Sequence, residues 1–274
     1  MILDYLVFSF YIMINSKKTP HPCLGAVGII GISGRMGRRI VSELEKKSTC
    51  TWIGGYDKNI PENGVLLDSM EKVFAKADMV VDFSHGSLFP TMIRAALASP
   101  RPLLVGTTGM DPALMPLLHE LAQHVPVMWA PNTSFGAAIQ RWAAGKLAQF
   151  LPETYDIDII ETHHRHKHDA PSGTALGLGH TIQNANKANG VFLELGQTTS
   201  PRASNRIEMH ALRCGNGPFC HDVVWTSNED SLVLKHTVFS GQTFASGALH
   251  LMRWLSSSAP GPGFYTLEDV LGLA

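Results

Sequence analysis

The chain has 274 residues, 45% of them hydrophobic and 16% charged, with a formal net charge of −1. That length and apolar content allow one large or two modest domains with a full core, and the near-neutral balance excludes a strongly basic nucleic-acid-binding surface. Cys23, Cys50, Cys214 and Cys220 form no C-x-x-C pair and are too few for a disulfide scaffold, which fits reduced thiols and a cytoplasmic location.

Residues 1–14 (MILDYLVFSFYIMI) are apolar but shorter than the roughly 20 residues of a spanning helix, and they carry Asp4 where a signal peptide would be basic. No membrane partner is expected. Residues 1–23 read as an N-terminal extension, with Met13 an alternative start. Residues 25–30 (GAVGII) are a short apolar run of buried-strand type. They enter Gly31, Gly34 and Gly37 at three-residue spacing, after which Met36, Ile40, Val41 and Leu44 recur at helical period. Glycine at such a turn lets a pyrophosphate approach the free N–H groups of a helix N-terminus. By itself the motif is also what an ordinary strand-to-helix turn looks like. The next strand, 51–56 (TWIGGY), ends in Asp57 and Lys58, about 20 residues after the last loop glycine, where an acidic residue binds the adenosine ribose. Asp57 suits NADH and Lys58 the 2′-phosphate of NADPH, so both cofactors stay open.

Strands at 79–83 (MVVDF), 103–105 and 127–130 alternate with helical stretches at 88–98 and after Asp111-Pro112. This is the pattern of a Rossmann-type, doubly wound parallel sheet, an α/β fold. Ligands of such sheets sit off the carboxyl ends of the strands, so the loops at 84–85, 106–109 and 130–134 should share one crevice with the first glycine loop. A helix follows over 135–151. After Pro152 the pattern changes: residues 155–160 (YDIDII) alternate polar and apolar, the sign of a sheet with one exposed face. Alternating runs at 206–212, 223–227 and 231–239 point to an antiparallel second domain. Residues 244–255 are helical and apolar enough to pack back on the first domain, and Gly261-Pro262-Gly263 precedes a short tail.

The densest chemistry lies in 161–176 (ETHHRHKHDAPSGTAL), which holds four histidines, Arg165 and Lys167. Such groups are costly to bury unless paired. Histidine exchanges protons near neutral pH, and Ser172, Gly173 and Thr174 open a helix whose N–H groups and hydroxyls suit a carboxylate. A hydride-binding domain facing protonatable groups and an anion site suggests reduction of an acidic small molecule. His163/His166 and His164/His168 have ligand-like spacings, but there is no thiolate, and Arg165 and Lys167 would repel a divalent cation, so no metal is expected.

The runs GISGRMGRRI, GTTG, APNTSFG, IIETHHRHKHDAPSGTAL and TFASGAL, in that order, resemble the dihydrodipicolinate reductase family, over essentially residue 27 to the C-terminus. The resemblance implies NADH- or NADPH-dependent reduction of the cyclic dicarboxylate 4-hydroxy-tetrahydrodipicolinate, with loss of water, in the diaminopimelate route to lysine. It implies His163 as acid/base group, Lys167 as second proton donor and charge partner, and His164 with Ser172, Gly173 and Thr174 around the substrate carboxylates. The cofactor would be held by Gly31, Ile32, Ser33, Gly34, Arg35 and Met36, by Asp57 and Lys58, by Gly106, Thr107 and Thr108, and by Ala130, Pro131, Asn132 and Thr133. It also implies a homotetramer. His166, His168 and Arg165 are assigned supporting or solvent-facing places. Two departures stand out: Phe219-Cys220-His221 replaces the usual Gly-Glu-His, and Gly241 stands where the family often has arginine. The rival readings are another Rossmann oxidoreductase acting on an amino-acid semialdehyde or sugar, and a non-catalytic NAD-binding regulator. The expected domains are a dinucleotide-binding one from 24–132 plus 242–274, and an α+β substrate-binding and oligomerisation domain with a mixed or antiparallel sheet from 133–241. Hinges are expected near 132–136 and 240–242.

Overall fold

The computed structural model describes residues 24–46, 51–58, 67–186, 192–195, 202, 206–257 and 261–273. The extension expected over 1–23, with Cys23, and also Cys50, lie outside the described residues.

The first sheet contains β1 (Ala26–Ile30), β2 (Thr51–Tyr56), β3 (Met79–Asp82), β4 (Leu103–Val105), β5 (Pro126–Trp129) and β11 (Gly263–Tyr265), in the order β2-β1-β3-β4-β5-β11. Every pairing is parallel. Successive side chains of a strand point to opposite faces, and here both faces are apolar. Val27, Ile29, Val81, Leu104 and Met128 face one core, which is closed by α1 (Arg35–Lys46) and α7 (Gln242–Ser257). Ile30, Val80, Leu103 and Val127 face the other, closed by α2 (Met70–Lys76), α3 (Phe89–Ala98) and α4 (Met115–Ala122). Each fully buried side chain of this size contributes about 1.5–3 kcal/mol, which is why the strands read as continuous apolar runs rather than alternating ones. The strand order reverses direction between β1 and β3, and in such sheets the ligand crevice opens outside the carboxyl ends at that point.

The second sheet contains β6 (Asp156–His163), β7 (Phe192–Leu195), β8 (Arg206–Arg213), β9 (Phe219–Thr226) and β10 (Ser231–Val238), in the order β10-β9-β6-β8-β7. One face packs on α5 (Phe135–Phe150) and α6 (Gly173–Ala185), with Trp225, Ile159, Ile207, Leu178 and Ile182 in its core. On the other face, Leu212 and Val233 are 46% and 52% exposed. The sheet is mixed, one of the two forms expected of the second domain, and not wholly antiparallel as the alternating runs by themselves suggest. β6–β8 and β7–β8 are parallel, while β6–β9 and β9–β10 are antiparallel. The reason is α6, which crosses over after β6 and lets the chain re-enter in the same direction.

The last elements return to the first sheet, with α7 packed on α1, β11 beside β5 and α8 (Leu267–Leu271) after it. β7, β11 and α2 are not legible in the sequence periodicity, being only four, three and seven residues long. β9 begins four residues before the alternating run at 223–227. No helix among the described residues is long and apolar enough to cross a membrane.

Candidate active site

The loop after β1 is built for close approach. Gly31 has φ +83°, and a side chain there would collide with the Phe83 carbonyl. A Cβ on Gly37 would fall 2.3 Å from the Gly31 carbonyl oxygen. Its chain path is held by Gly31 N–H donating to the Tyr56 carbonyl at 2.8 Å, and by Ser33 N–H donating to an Asp57 carboxylate oxygen at 2.9 Å. The loop opens α1, which has no acidic residue in its first turn and carries Arg35, Arg38 and Arg39 instead. Positive charge at a helix N-terminus opposes the macrodipole, so this cradle fits an anionic group, and the pyrophosphate of a dinucleotide meets that requirement. Lys58 lies exposed beside Asp57.

The loops after β3, β4 and β5 reach the same edge. Asp82 ends β3 fully buried; burial raises its pKa, against the Ser84 and Thr107 hydroxyls and the Ser84 N–H, which donates at 3.0 Å. In the loop after β4, Gly106 and Thr107 are buried and Thr108 is exposed. After β5, Ala130 and Thr133 are buried, Asn132 is half-buried and Pro131 is exposed. The Asn132 amide oxygen accepts from Ser134 N–H at 2.9 Å, and its amide N–H donates to the Thr174 hydroxyl at 3.2 Å. That bond joins the expected cofactor edge to the expected carboxylate site.

The second sheet brings its ionised groups to the same place by register. On β6, period two puts Ile157, Ile159, Glu161 and His163 on the covered face. His163 pairs across β8 with Arg213, and Glu161 pairs across β9 with His221. The apolar core face therefore becomes an ionic cluster at its end. Glu161 is 1% exposed. Its oxygens meet Arg213 Nη2 at 2.7 Å, Ser172 N–H at 3.1 Å and His163 Nδ1. Burial alone would raise the Glu161 pKa; the Arg213 hydrogen bond, the charges of His163 and Arg213 and the Ser172 N–H outweigh it and hold the carboxyl below its ordinary range. His163 is pulled down by burial, which Glu161 opposes and Lys167 and Arg213 reinforce. His221 is pulled to about 4, first by burial and then by the charge of His163.

Arg213 also donates to the Asp169 carbonyl at 2.6 Å, and Lys167 Nζ meets both Asp169 carboxylate oxygens at 2.8 Å. Lys167 lowers the pKa of His163, so the two expected proton-handling groups are brought together. His164 is half-buried and lies edge-on to Phe219, whereas Arg165, His166 and His168 are exposed. Ser172 is 2% exposed. Its hydroxyl accepts from Ala175 N–H at 3.2 Å and lies 3.0 Å from His221 Nε2, so it caps α6 from below. Gly173 is exposed and Thr174 half-buried.

Glu161 and Arg213 were given no site role from the sequence, and Phe219 and His221 were noted only as a departure from the family pattern. Glu161 had one legible signal, a charged residue in phase with the apolar positions of β6. The other three lie about 50 to 60 positions away and are joined only by strand register. Glu161, His163 and His221 present ligand atoms within 4.8 Å of one another. The oxygens of Glu161 are committed to Arg213, Ser172 and His163, and two cationic side chains adjoin, so the donor set does not suit a divalent cation.

Family models describing the N-terminus and the C-terminus of dihydrodipicolinate reductase match residues 26–133 and 136–271. The chain belongs to the dihydrodipicolinate reductase family. Among curated family members, the 4-hydroxy-tetrahydrodipicolinate reductase of Chlamydia felis is 39% identical over 244 residues, covering 88% of this chain and 96% of that protein. The enzyme of the same name from Akkermansia muciniphila is 36% identical over 249 residues, covering 90% and 97%. A dipicolinate-bound dihydrodipicolinate reductase from Paenisporosarcina sp. TG-14 shares the fold, with a TM-score of 0.74 at 20% identity over 90% of this chain and 99% of that one. The semialdehyde, sugar and regulator readings give way to this membership.

At the two departures from the family pattern the structure shows specific neighbours. Phe219 stacks on His163, with ring centroids 5.4 Å apart. Gly241 leaves room for Arg39, whose guanidinium would lie 2.4 Å from a Cβ at that position.

Proposed function

We propose that this chain is a 4-hydroxy-tetrahydrodipicolinate reductase acting in lysine biosynthesis through diaminopimelate. The reaction balances as 4-hydroxy-tetrahydrodipicolinate plus NAD(P)H plus a proton giving tetrahydrodipicolinate, NAD(P)⁺ and water. The bond from Asn132 to Thr174 is the observation that carries the reading, because it supports a shared crevice for the loop after β5, assigned to cofactor, and the start of α6, assigned to substrate carboxylates. When bound, NADH or NADPH supplies the hydride.

The glycine-loop residues Gly31, Ile32, Ser33, Gly34, Arg35 and Met36 hold the cofactor phosphates on backbone N–H groups. Asp57 and Lys58 take its adenosine end, and Gly106, Thr107, Thr108, Ala130, Pro131, Asn132 and Thr133 line the rest of the crevice. His164, Gly173 and Thr174 bind the substrate carboxylates, with Ser172 holding the helix end in place. A dianion offsets the repulsion among Arg213, Lys167 and a protonated His163. It thereby favours the charged imidazolium that donates the proton to the carbon beside the one receiving hydride. Lys167, exchanging its Asp169 contact for substrate, is the second donor and charge partner.

The parts read as two units, 24–132 plus 242–274 and 133–241, closing about hinges near 132–136 and 240–242. The exposed Leu212 and Val233 on one face of the second sheet support a homotetramer. The setting is cytoplasmic. The test is oxidation of NADH and NADPH in the presence of freshly generated 4-hydroxy-tetrahydrodipicolinate. Turnover with at least one cofactor is expected, and none with either overturns the assignment.

A further inference from the structure

We infer that Glu161 and Arg213 are opposed positioning residues that set the tautomer and the proton affinity of His163. The inference rests on His163 being the proton donor proposed above. Glu161 reaches His163 Nδ1, the Ser172 N–H and Arg213 Nη2 from a site where it is 1% exposed. A buried carboxylate facing Nδ1 keeps the hydrogen on that nitrogen and leaves Nε2 as the working atom. Arg213 sits at the strand position paired with His163, holds the other Glu161 oxygen and braces the Asp169 carbonyl at 2.6 Å. One carboxylate therefore ties the end of β6, the cap of α6 and the end of β8 into a single unit.

The groups facing His163 come from every neighbouring element. Glu161 lies on its own strand, Lys167 and Asp169 on the following loop, Arg213 on β8, and His221 and the Phe219 ring on β9; Ser172 caps α6. His236 on β10 pairs with His221 on the adjacent strand. Glu161 is the negative charge that raises the proton affinity of His163, while Arg213 and Lys167 are the positive charges that lower it. Arg213 also neutralises Glu161, since a buried carboxylate without a partner costs several kcal/mol. The pair is thus a two-way setting, with one member favouring the protonated ring and the other restraining it.

The test uses the full chain with Glu161→Gln, Arg213→Gln and Arg213→Lys. Imidazole-labelled NMR follows the His163 titration without substrate, its resonance assigned by the His163→Gln spectrum. Steady-state rates are measured in parallel across pH. Glu161→Gln should move the His163 midpoint to lower pH and reduce kcat by about 10- to 100-fold, within what general acid catalysis contributes, with KM for NADH unchanged. Arg213→Gln should move the midpoint to higher pH, and Arg213→Lys should restore it toward wild type. Midpoints that stay fixed, or that move the same way in both glutamine variants, overturn the inference. If Glu161→Gln does not fold, the arginine pair decides it: no difference between Gln and Lys refutes the pairing. Wild-type protein without turnover would refute the reductase reading alone, because the titration needs no substrate.

Discussion

The first sheet is covered on both faces and offers the crevice mainly backbone: glycine turns, helix N–H groups and short polar loops. The second is covered on one face and offers ionised side chains, Glu161, His163 and Arg213, at the end of its apolar stripe. Backbone groups serve a cofactor whose phosphates look the same in every reaction. The proposed proton-transfer side needs groups whose charge is tuned, and tuning requires partial burial beside fixed charges. The same contrast shows in the strand patterns, continuous in one sheet and alternating in the other.

The largest expected effect separates the two sides chemically. His163→Ala should lower kcat by roughly 10²-fold or more while NADH affinity, read by fluorescence titration, stays intact. Unchanged turnover would remove His163 from the chemistry, and lost NADH affinity would mean the two sides are not separable.

Next comes stability. Trp225 and Phe74, both fully buried, anchor the second sheet and one face of the first. Replacing either with alanine should cost about 3–5 kcal/mol, measured by denaturant unfolding. NADH binding should survive in folded Trp225→Ala and weaken in Phe74→Ala. Equal loss in both would show that the sheets act as one body toward cofactor.

The smallest effect is a pH dependence confined to the second sheet. Burial pulls His221 to about 4 in the folded chain, below the ordinary histidine value of about 6.5. Between those values the unfolded chain binds a proton that the folded chain does not. Stability is therefore fully present above about pH 6.5 and falls as pH drops toward about 4, by about 3 kcal/mol. Thermal melts across that window should show the decline, and His221→Gln should reduce its slope, leaving the part due to His163 and His236, whose proton affinities burial also lowers. A wild-type curve with no slope there would mean that His221 is not held neutral.

Much of this organisation was legible in the residues. Alternation of apolar runs with helical stretches outlined the parallel sheet, because a strand buried on both faces must be apolar throughout. The spacing of Gly31, Gly34 and Gly37, with Asp57 downstream, marked the proposed cofactor edge, because close backbone approach excludes side chains. The segment from Glu161 to Leu176 declared itself because so many ionisable groups have no place in an ordinary core. The short elements β7 and β11 carried no periodic signal, and the alternating runs left open whether the second sheet was mixed or antiparallel, which the crossover through α6 decided.

Sequence alone therefore determined the local features, whose causes lie within a few residues: glycine turns, helix starts, strand alternation and the polar cluster. Only the tertiary structure decided the environment of His163. Arg213 and His221 reach it through strand register across 50 and 58 positions of chain, and their effect depends on burial and charge at distances of a few ångströms. Electrostatic coupling acts through space, so which groups share a low-dielectric site is settled by packing and not by their order along the chain.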